Sequence, residues 1–168
     1  ASRVLPDGFK AQVVAVSRRA AVRYQQAFER ACQDLVAELE TALEQGITIW
    51  ERQAIAPLLA RLRRLQFCAI ISGDHNDPRP WKQWTRKGQQ DASVADFKSP
   101  FDDEKQRGYT AILIVKSMLL TGFDAPVEQV MYLDRTIRGY ELLQAIARVN
   151  RTHTGKEVGL IVDYFGLA

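Results

Sequence analysis

Five short apolar runs, separated by segments with helical or loop character, constrain the fold of this chain most. Residues 110–116, 129–134 and 157–163 are near-continuous apolar runs, as expected for strands of a parallel sheet that is covered on both faces. Residues 9–16 form a further run rich in β-branched residues, and residues 67–72 are a fifth candidate strand. Strands that alternate with helices predict a mostly parallel α/β sheet with helices on both faces.

Helical patterns lie between several of these runs. Ser17 follows the first run as a predicted N-cap, and apolar residues at three-to-four spacing continue until Gly46, where we expect the helix to end. Residues 49–65 carry a second helical pattern that contains Pro57, which either kinks this helix or begins a fresh one. A further helix is predicted over residues 139–150, between the last two strands.

The length and the apolar content of the chain set the expected number of domains. With 168 residues, 46% of them hydrophobic, the chain can bury one core and is too short for two domains of ordinary size. Residues 73–108 show no clean period and are predicted to be loops with a short helix or two. We therefore expect residues 1–168 to form one domain, with residues 40–95 as a helical and loop insertion, and the chain to be a fragment of a larger protein.

Charge and cysteine content narrow the class of protein. The chain has 23 Lys and Arg against 20 Asp and Glu, so we expect positive and negative side chains to be intermingled on its surface. This charge balance permits binding to nucleic acid but does not require it. Cys32 and Cys68 lack CxxC spacing and a nearby His, and His75 has only acids beside it, so we expect a reduced, intracellular protein without a metal site. No apolar run reaches the roughly 18 residues that a membrane span needs.

Residues 144–151, with the sequence QAIARVNR, carry the strongest chemical signal. On a helix, Gln144, Arg148 and Arg151 stand at positions i, i+4 and i+7, so they are predicted to share one face. Two guanidiniums that point the same way suit a polyanion, such as a nucleoside triphosphate, better than a packed core. The alternative is an exposed helix face with two solvated arginines.

Two segments resemble the motifs of a known family of motor enzymes. Residues 112–126, ILIVKSMLLTGFDAP, resemble motif V of superfamily 2 helicases, and residues 144–151 resemble motif VI. Together with residues 13–18 and 159–166, they are similar to the restriction (R) subunit of type I restriction-modification enzymes. The resemblance implies a three-layer RecA-like α/β fold of the P-loop NTPase type. It also implies the second motor lobe of an ATP-dependent double-stranded DNA translocase in the prokaryotic cytoplasm.

The resemblance also implies roles for single residues near the nucleotide. Arg148 and Arg151 are expected to reach the γ-phosphate of ATP, one of them as an arginine finger, while Gln144 positions the water or the phosphate. Gly122 lets the backbone approach a ligand closely, and Asp124 is expected to accept hydrogen bonds from the ribose. An ordinary strand-to-helix turn is the alternative interpretation of the segment around Gly122.

A second set of residues is expected to contact nucleic acid. Thr121 offers a hydroxyl to a backbone phosphate, and Ser17 and Arg18 begin a helix whose free N–H groups suit the same ligand. Helix capping alone also explains Ser17. Residues 79–87 interleave cations with two tryptophans, which indicates either a nucleic-acid grip or a solvated loop pinned by the two rings.

Some motifs of an ATPase are missing from the sequence. It contains no G-x-x-x-x-G-K-[ST] and no Asp-Glu pair at a strand end, so ATP and Mg²⁺ should be held mainly by another lobe. The resemblance implies that this RecA-like lobe and a nuclease domain lie upstream in the same chain, with methyltransferase and specificity subunits and duplex DNA as partners. Two alternatives remain open, a non-catalytic RecA-like DNA-binding or docking module and a lobe of a conventional superfamily 2 helicase.

Overall fold

A five-stranded parallel sheet forms the centre of the protein. The computed structural model describes residues 8–101, 108–120 and 122–165. The strand order is β2-β3-β1-β4-β5, and every neighbouring pair is parallel. The strands are β1 (Lys10–Ala15), β2 (Gln66–Ile70), β3 (Thr110–Val115), β4 (Glu128–Asp134) and β5 (Leu160–Asp163). All five predicted runs are therefore strands, although the last begins at Leu160 rather than at residue 157.

Five α-helices connect these strands. They are α1 (Arg18–Glu44), α2 (Ile49–Leu62), α3 (Lys82–Thr85), α4 (Lys87–Lys98) and α5 (Gly139–Val149), and a 3₁₀ turn (Arg79–Trp81) precedes α3. The predicted N-cap of α1 is confirmed, because the Ser17 hydroxyl accepts a hydrogen bond from the backbone N–H of Ala20 at 3.0 Å. Pro57 lies inside α2 and does not end it.

Residues 73–108, predicted as loops with a short helix or two, contain the short helix α3 and a longer helix, α4. α4 has 12 residues, and its sequence, KGQQDASVADFK, shows no apolar stripe at helical spacing. Phe97 is the one residue of this helix that is buried. Tertiary contacts hold the helix in place instead. The Gln90 side-chain amide donates to the backbone oxygens of Ile71 and Trp84, at 2.7 and 2.6 Å. The expectation of only short helices was therefore too conservative.

Helices cover both faces of the sheet. On one face, α1 packs on Val13, Ala15 and their neighbours, and α2 packs on α1 rather than on the strands. On the other face, α4 and α5 cover a larger apolar core that contains Val14 and Leu133. These three layers confirm the predicted three-layer α/β class and are consistent with a RecA-like fold.

The direction of the strands decides which candidate residues can meet. Ser17 and Arg18 follow the carboxyl end of β1, which pairs with the carboxyl end of β4 through Ala15 and Asp134. Residues 122–124 instead lie just before the amino end of β4, and α5 returns toward that end on its way to β5. The candidate segments therefore do not all lie at one end of the sheet: motif V begins at the carboxyl end of β3, but its residues 122–124 and the end of α5 lie at the opposite end from Ser17 and Arg18. A seven-residue strand separates the two groups, about 20 Å at 3.3 Å per residue.

Candidate functional site

One pocket brings together five of the eight residues that the sequence singled out. Its volume is about 240 Å³, and it lies between the segment that precedes β4 and the end of α5. Gly122 has a φ of +67°, a backbone conformation that favours glycine, and apart from its chain neighbours no described residue has an atom within 4 Å of the position that a Cβ would take. The backbone at Gly122 is therefore open on the side where a side chain would stand. The pocket is lined by Gly122, Phe123, Asp124, Gln144, Ala147, Arg148 and Arg151.

The three residues of motif VI reach the pocket by different routes. Gln144 and Arg148 lie one turn apart on α5, as the spacing predicts. α5 ends at Val149, however, so Arg151 stands in the turn beyond the helix, where its N–H donates to the Arg148 carbonyl at 3.3 Å. The prediction of one continuous helix face is wrong for Arg151, because the turn rather than the helix carries this side chain to the pocket.

Arg151 forms an ion pair with the acid of motif V. Its Nη1 lies 2.7 Å from Oδ1 of Asp124, and the two side chains are 48% and 56% exposed. Exposed pairs of this kind contribute only about 0–1 kcal/mol, since water and salt screen both charges. A ligand with stronger charge can therefore separate Arg151 from Asp124 at little cost.

Arg148 is buried, in contrast to Arg151. It is 4% exposed, and its guanidinium carbon lies 5.1 Å from the centre of the Phe123 ring. Among the described residues, its Nε and Nη1 atoms have no hydrogen-bond partner. Burial lowers the pKa of Arg148, and the nearby Glu128 opposes this shift. Arg148 is thus a desolvated cation at the wall of the pocket, and some of its N–H groups remain available to a ligand.

Glu128, four residues after Asp124, is a buried acid that the sequence did not reveal. It begins β4, is fully buried, and neither of its carboxylate oxygens has a hydrogen-bond partner in the described part of the chain. Burial raises the pKa of Glu128 to about 8, against the opposing effect of Arg148 and Lys156. The only signal in the sequence is an acid directly before an apolar strand, which a solvated strand end explains equally well.

Two of the three predicted nucleic-acid contacts, Ser17 and Arg18, lie at the other end of the sheet. Arg18 forms an ion pair with Asp77, lies 3.8 Å from Asp74, and stacks with its guanidinium carbon 5.2 Å from the Trp81 ring centre. The hydrogen bond from Arg18 lowers the pKa of Asp77. The loop after β2 therefore occupies the guanidinium that was expected to meet a phosphate. Thr121 lies outside the described residues.

The remaining candidates give no second site. Trp81 and Trp84 meet edge to face at 6.3 Å and pack against the core under α1, which favours the interpretation of residues 79–87 as a pinned loop. Within the described ranges, no group of His, Cys, Asp and Glu is arranged to hold a metal ion. No helix of those ranges is long and apolar enough to cross a membrane.

Comparison with known proteins identifies the family. A family profile described as type I restriction enzyme subunit R domain 3 matches residues 7–165. The chain belongs to this family. The match covers all five strands and the whole pocket, so the fold and the site described above are features of one subunit R domain.

Curated relatives agree with this assignment. The chain is 36% identical over 160 residues to a putative type I restriction enzyme MjaVIIP endonuclease subunit from Methanocaldococcus jannaschii, which covers 95% of the chain and 13% of the relative. A putative MjaIXP endonuclease subunit of the same organism is 35% identical, over 96% of the chain and 12% of the relative. The HindI endonuclease subunit of Haemophilus influenzae is 43% identical over 59% of the chain and 9% of its own length. The chain thus spans about an eighth or less of the length of these relatives.

Proposed function

We propose that this domain is the second motor lobe of an ATP-dependent translocase of double-stranded DNA within the R subunit of a type I restriction endonuclease. It supplies Arg148, Arg151 and Gln144 to ATP that is bound mainly by another lobe of the same subunit. Ser17, Arg18 and Thr121 supply contacts to the DNA backbone. The other partners in this proposal are an upstream nuclease domain and the methyltransferase and specificity subunits, in the cytoplasm of a prokaryote.

The pocket shared by motifs V and VI carries this proposal. Two guanidiniums, one amide and an open glycine backbone suit the oxygens of a triphosphate. Its volume of about 240 Å³ lies below the roughly 300–1,000 Å³ that encloses a whole drug-sized ligand. The pocket is therefore too small to enclose ATP alone, which suits one half of a cleft whose other half lies on another lobe.

The residues of the pocket fit ATP better than they fit Mg²⁺. Mg²⁺ prefers an octahedral set of oxygen ligands, and Asp124 is the one carboxylate among the lining residues, already paired with Arg151. When bound, Mg²⁺ would neutralise charge on the β- and γ-phosphates. In this proposal the other lobe holds the metal, and this chain contributes the fixed cations Arg148 and Arg151.

Hydrolysis would use these cations in sequence. As the two lobes close, the γ-phosphate competes with Asp124 for Arg151, which exchanges a weak exposed pair for a desolvated contact with phosphate. Arg148 lies at the same wall and stabilises the charge that spreads over the phosphoryl oxygens, while Gln144 orients the attacking water. An arginine finger contributes about 10³ to 10⁵ in rate in related phosphoryl-transfer enzymes.

DNA movement would follow from closure of the lobes. The Ser17 and Arg18 positions lie about 20 Å from the pocket, at the opposite end of the sheet. A rigid sheet therefore carries a rotation of the lobe at the ATP cleft to the DNA contacts. Repeated cycles of binding and hydrolysis would move the duplex past the enzyme.

The test uses the full-length R subunit in its restriction complex. We expect Arg148→Ala and Arg151→Ala each to reduce DNA-stimulated ATP hydrolysis by about 10³ or more, and to stop translocation. Arg138→Ala is the matched control, because Arg138 is an exposed arginine at the other end of α5. Undiminished hydrolysis in both pocket variants would instead identify a non-catalytic binding or docking module. Strand displacement by the wild type would identify a conventional helicase.

A further inference from the structure

Residues 33–62 form a helical hairpin that extends beyond the sheet, and we call them the α1–α2 hairpin. α1 runs toward the amino end of β2, because the Phe28 ring stacks on Phe67, whereas Gln25, one turn earlier, accepts a hydrogen bond from the N–H of Ala69 at 2.7 Å. No residue of the hairpin belongs to the apolar core on either face of the described sheet. Its α1 portion therefore continues for about 18 Å past that core, at 1.5 Å per residue.

α2 has apolar residues on two sides, and in the described part of the chain only one of these sides is covered. Leu59 is the one buried residue of α2, and the helix packs mainly on α1. Trp50, Ala54 and Leu58 stand at positions i, i+4 and i+8, so they share another side of the helix, and all three are exposed. Trp50 is 81% exposed, and Ile49 beside it is 74% exposed. A helix with apolar residues all round is normally buried, so this side indicates a covering partner.

The end of the hairpin that carries Trp50 is strongly acidic. Residues 31–51 contain five acidic residues and no Lys, Arg or His, whereas the whole chain has a net charge of +3. Two of these acids are engaged, Glu40 with Arg63 and Glu51 in the cap of α2. The other three are exposed and form no ion pair with a described residue; they are Asp34, Glu38 and Glu44.

The stability of α1 does not explain this distribution of charge. The dipole of a helix favours acids in its first turn and bases in its last turn. α1 has neither, because it begins with Arg18 and Arg19 and ends with Glu44. The acids of the hairpin therefore suit a contact with a partner better than they suit the helix itself.

The charge of the hairpin decides which kind of partner fits. The phosphates of DNA would be repelled by the acids around Trp50. A protein surface that offers an apolar pocket with a rim of Lys and Arg would be attracted, because it matches both the apolar side of α2 and the charge beside it. The hairpin is thus suited to a protein and not to the nucleic acid.

We infer that the α1–α2 hairpin docks, through Trp50 and the apolar side of α2, into an apolar pocket with a basic rim on another domain of the same R-subunit chain. The chain spans about an eighth or less of the length of its relatives, and its family profile describes domain 3 of subunit R. A domain of the same polypeptide is present at a high effective concentration, which suits an apolar side that needs a permanent cover. The inference goes beyond the proposed function and does not depend on the roles of Arg148 and Arg151.

Photo-crosslinking identifies the partner directly. In the full-length subunit, without other subunits or DNA, Trp50 is replaced by p-benzoylphenylalanine, and the linked peptides are identified by mass spectrometry. We expect a link within one polypeptide, to a segment outside residues 1–168 that contains Lys or Arg. Val16 is the matched control position, because it is 53% exposed at the opposite end of the sheet, and it should not link to that segment.

Hydrogen exchange tests the apolar side and the charge separately. We expect Trp50→Ser and Glu44→Lys each to accelerate amide exchange in residues 49–62 of the full-length subunit by about tenfold or more. Glu44→Lys by itself places a cation at the carboxyl end of α1, where the dipole favours it, so faster exchange in this variant would come from loss of the partner. Glu157→Lys is the matched control, because Glu157 is an exposed acid outside the hairpin, and it should leave the exchange rate unchanged.

Several results would overturn the inference. A link from position 50 to a second copy of the subunit would show self-association instead, and a link confined to residues 1–168, or no link, would show that no other domain covers the hairpin. In the complete complex, a link to DNA or to another subunit would do the same. An exchange rate that stays at the wild-type value in either hairpin variant would also overturn it. None of these results bears on Arg148→Ala, which tests the proposed function separately.

Discussion

Gly159 packs closely against the end of α5, which carries Arg148 into the pocket. Substitution of Gly159 by alanine therefore tests whether this close packing holds the end of α5 in place. A Cβ atom at this position would stand 2.1 Å from the Val149 carbonyl oxygen, 2.4 Å from its carbon and 2.8 Å from Oδ1 of Asn150. The first two atoms are backbone and cannot rotate away. To restore even a 3.0 Å separation, the end of α5 and β5 must move apart by about 0.9 Å.

The expected cost of Gly159→Ala follows from this overlap. Overpacking of this kind typically costs about 1–3 kcal/mol, and for a domain of 150–250 residues each kcal/mol lowers Tm by about 2–4 °C. We therefore expect Tm to fall by roughly 2–12 °C. The same displacement moves the turn that carries Arg148 and Arg151, so DNA-stimulated ATP hydrolysis by the full-length subunit should fall as well.

The assay is thermal unfolding of the 168-residue chain, followed by circular dichroism, with Gly88→Ala as the control. Gly88 lies inside α4, and nothing stands within 4 Å of the position of its Cβ, so alanine there should leave Tm unchanged or raise it by removing backbone freedom from the unfolded chain. If Gly159→Ala melted with the wild type, the close packing of β5 against the end of α5 would be refuted.

Three further perturbations probe the charges of the domain. Asp124→Asn breaks the exposed pair with Arg151 and should change the free energy of unfolding by less than about 1 kcal/mol in urea titrations; a larger loss would show that the pair is structural. Glu128 has a raised pKa, so the folded state binds more protons than the unfolded state between about pH 5 and 8. The Tm of the wild type should therefore fall as the pH rises from about 5 to 8. In Glu128→Gln, the Tm should change less over the same pH range. Asp77→Asn removes the carboxylate charge that pairs most closely with Arg18, so duplex DNA should bind the full-length subunit more tightly, with a salt slope steeper by up to about 1. Unchanged affinity and slope would remove Arg18 from the DNA contacts.

Much of the fold could be predicted from periodicity, because the strands are buried on both faces. Residues 110–116 and 129–134 are near-continuous apolar runs because α1 covers one face of the sheet and α4 and α5 cover the other. The length and bounds of α4 were not predicted because side-chain hydrogen bonds, such as those of Gln90, hold this helix in place rather than an apolar stripe. Contacts of that kind depend on residues distant in sequence, which no local pattern records.

The sequence predicted which charged residues line the pocket, but not how deeply each of them is buried. Motif spacing identified Gln144, Arg148 and Arg151, and all three line the pocket. The spacing could not show that Arg148 is buried whereas Arg151 is exposed, because α5 ends between them at Val149. Nor could it show that Glu128, at the start of β4, is fully buried without a hydrogen-bond partner among the described residues.

The central claim is that Arg148 and Arg151 act on the chemistry of ATP hydrolysis rather than on its binding. Single-turnover hydrolysis by the full-length subunit in its complex, with ATP already bound and DNA present, measures that step directly. We expect Arg148→Ala and Arg151→Ala to slow this step by about 10³ or more while the Kd for ATP changes by only a few-fold. A single-turnover rate within a few-fold of the wild type in both variants would contradict it.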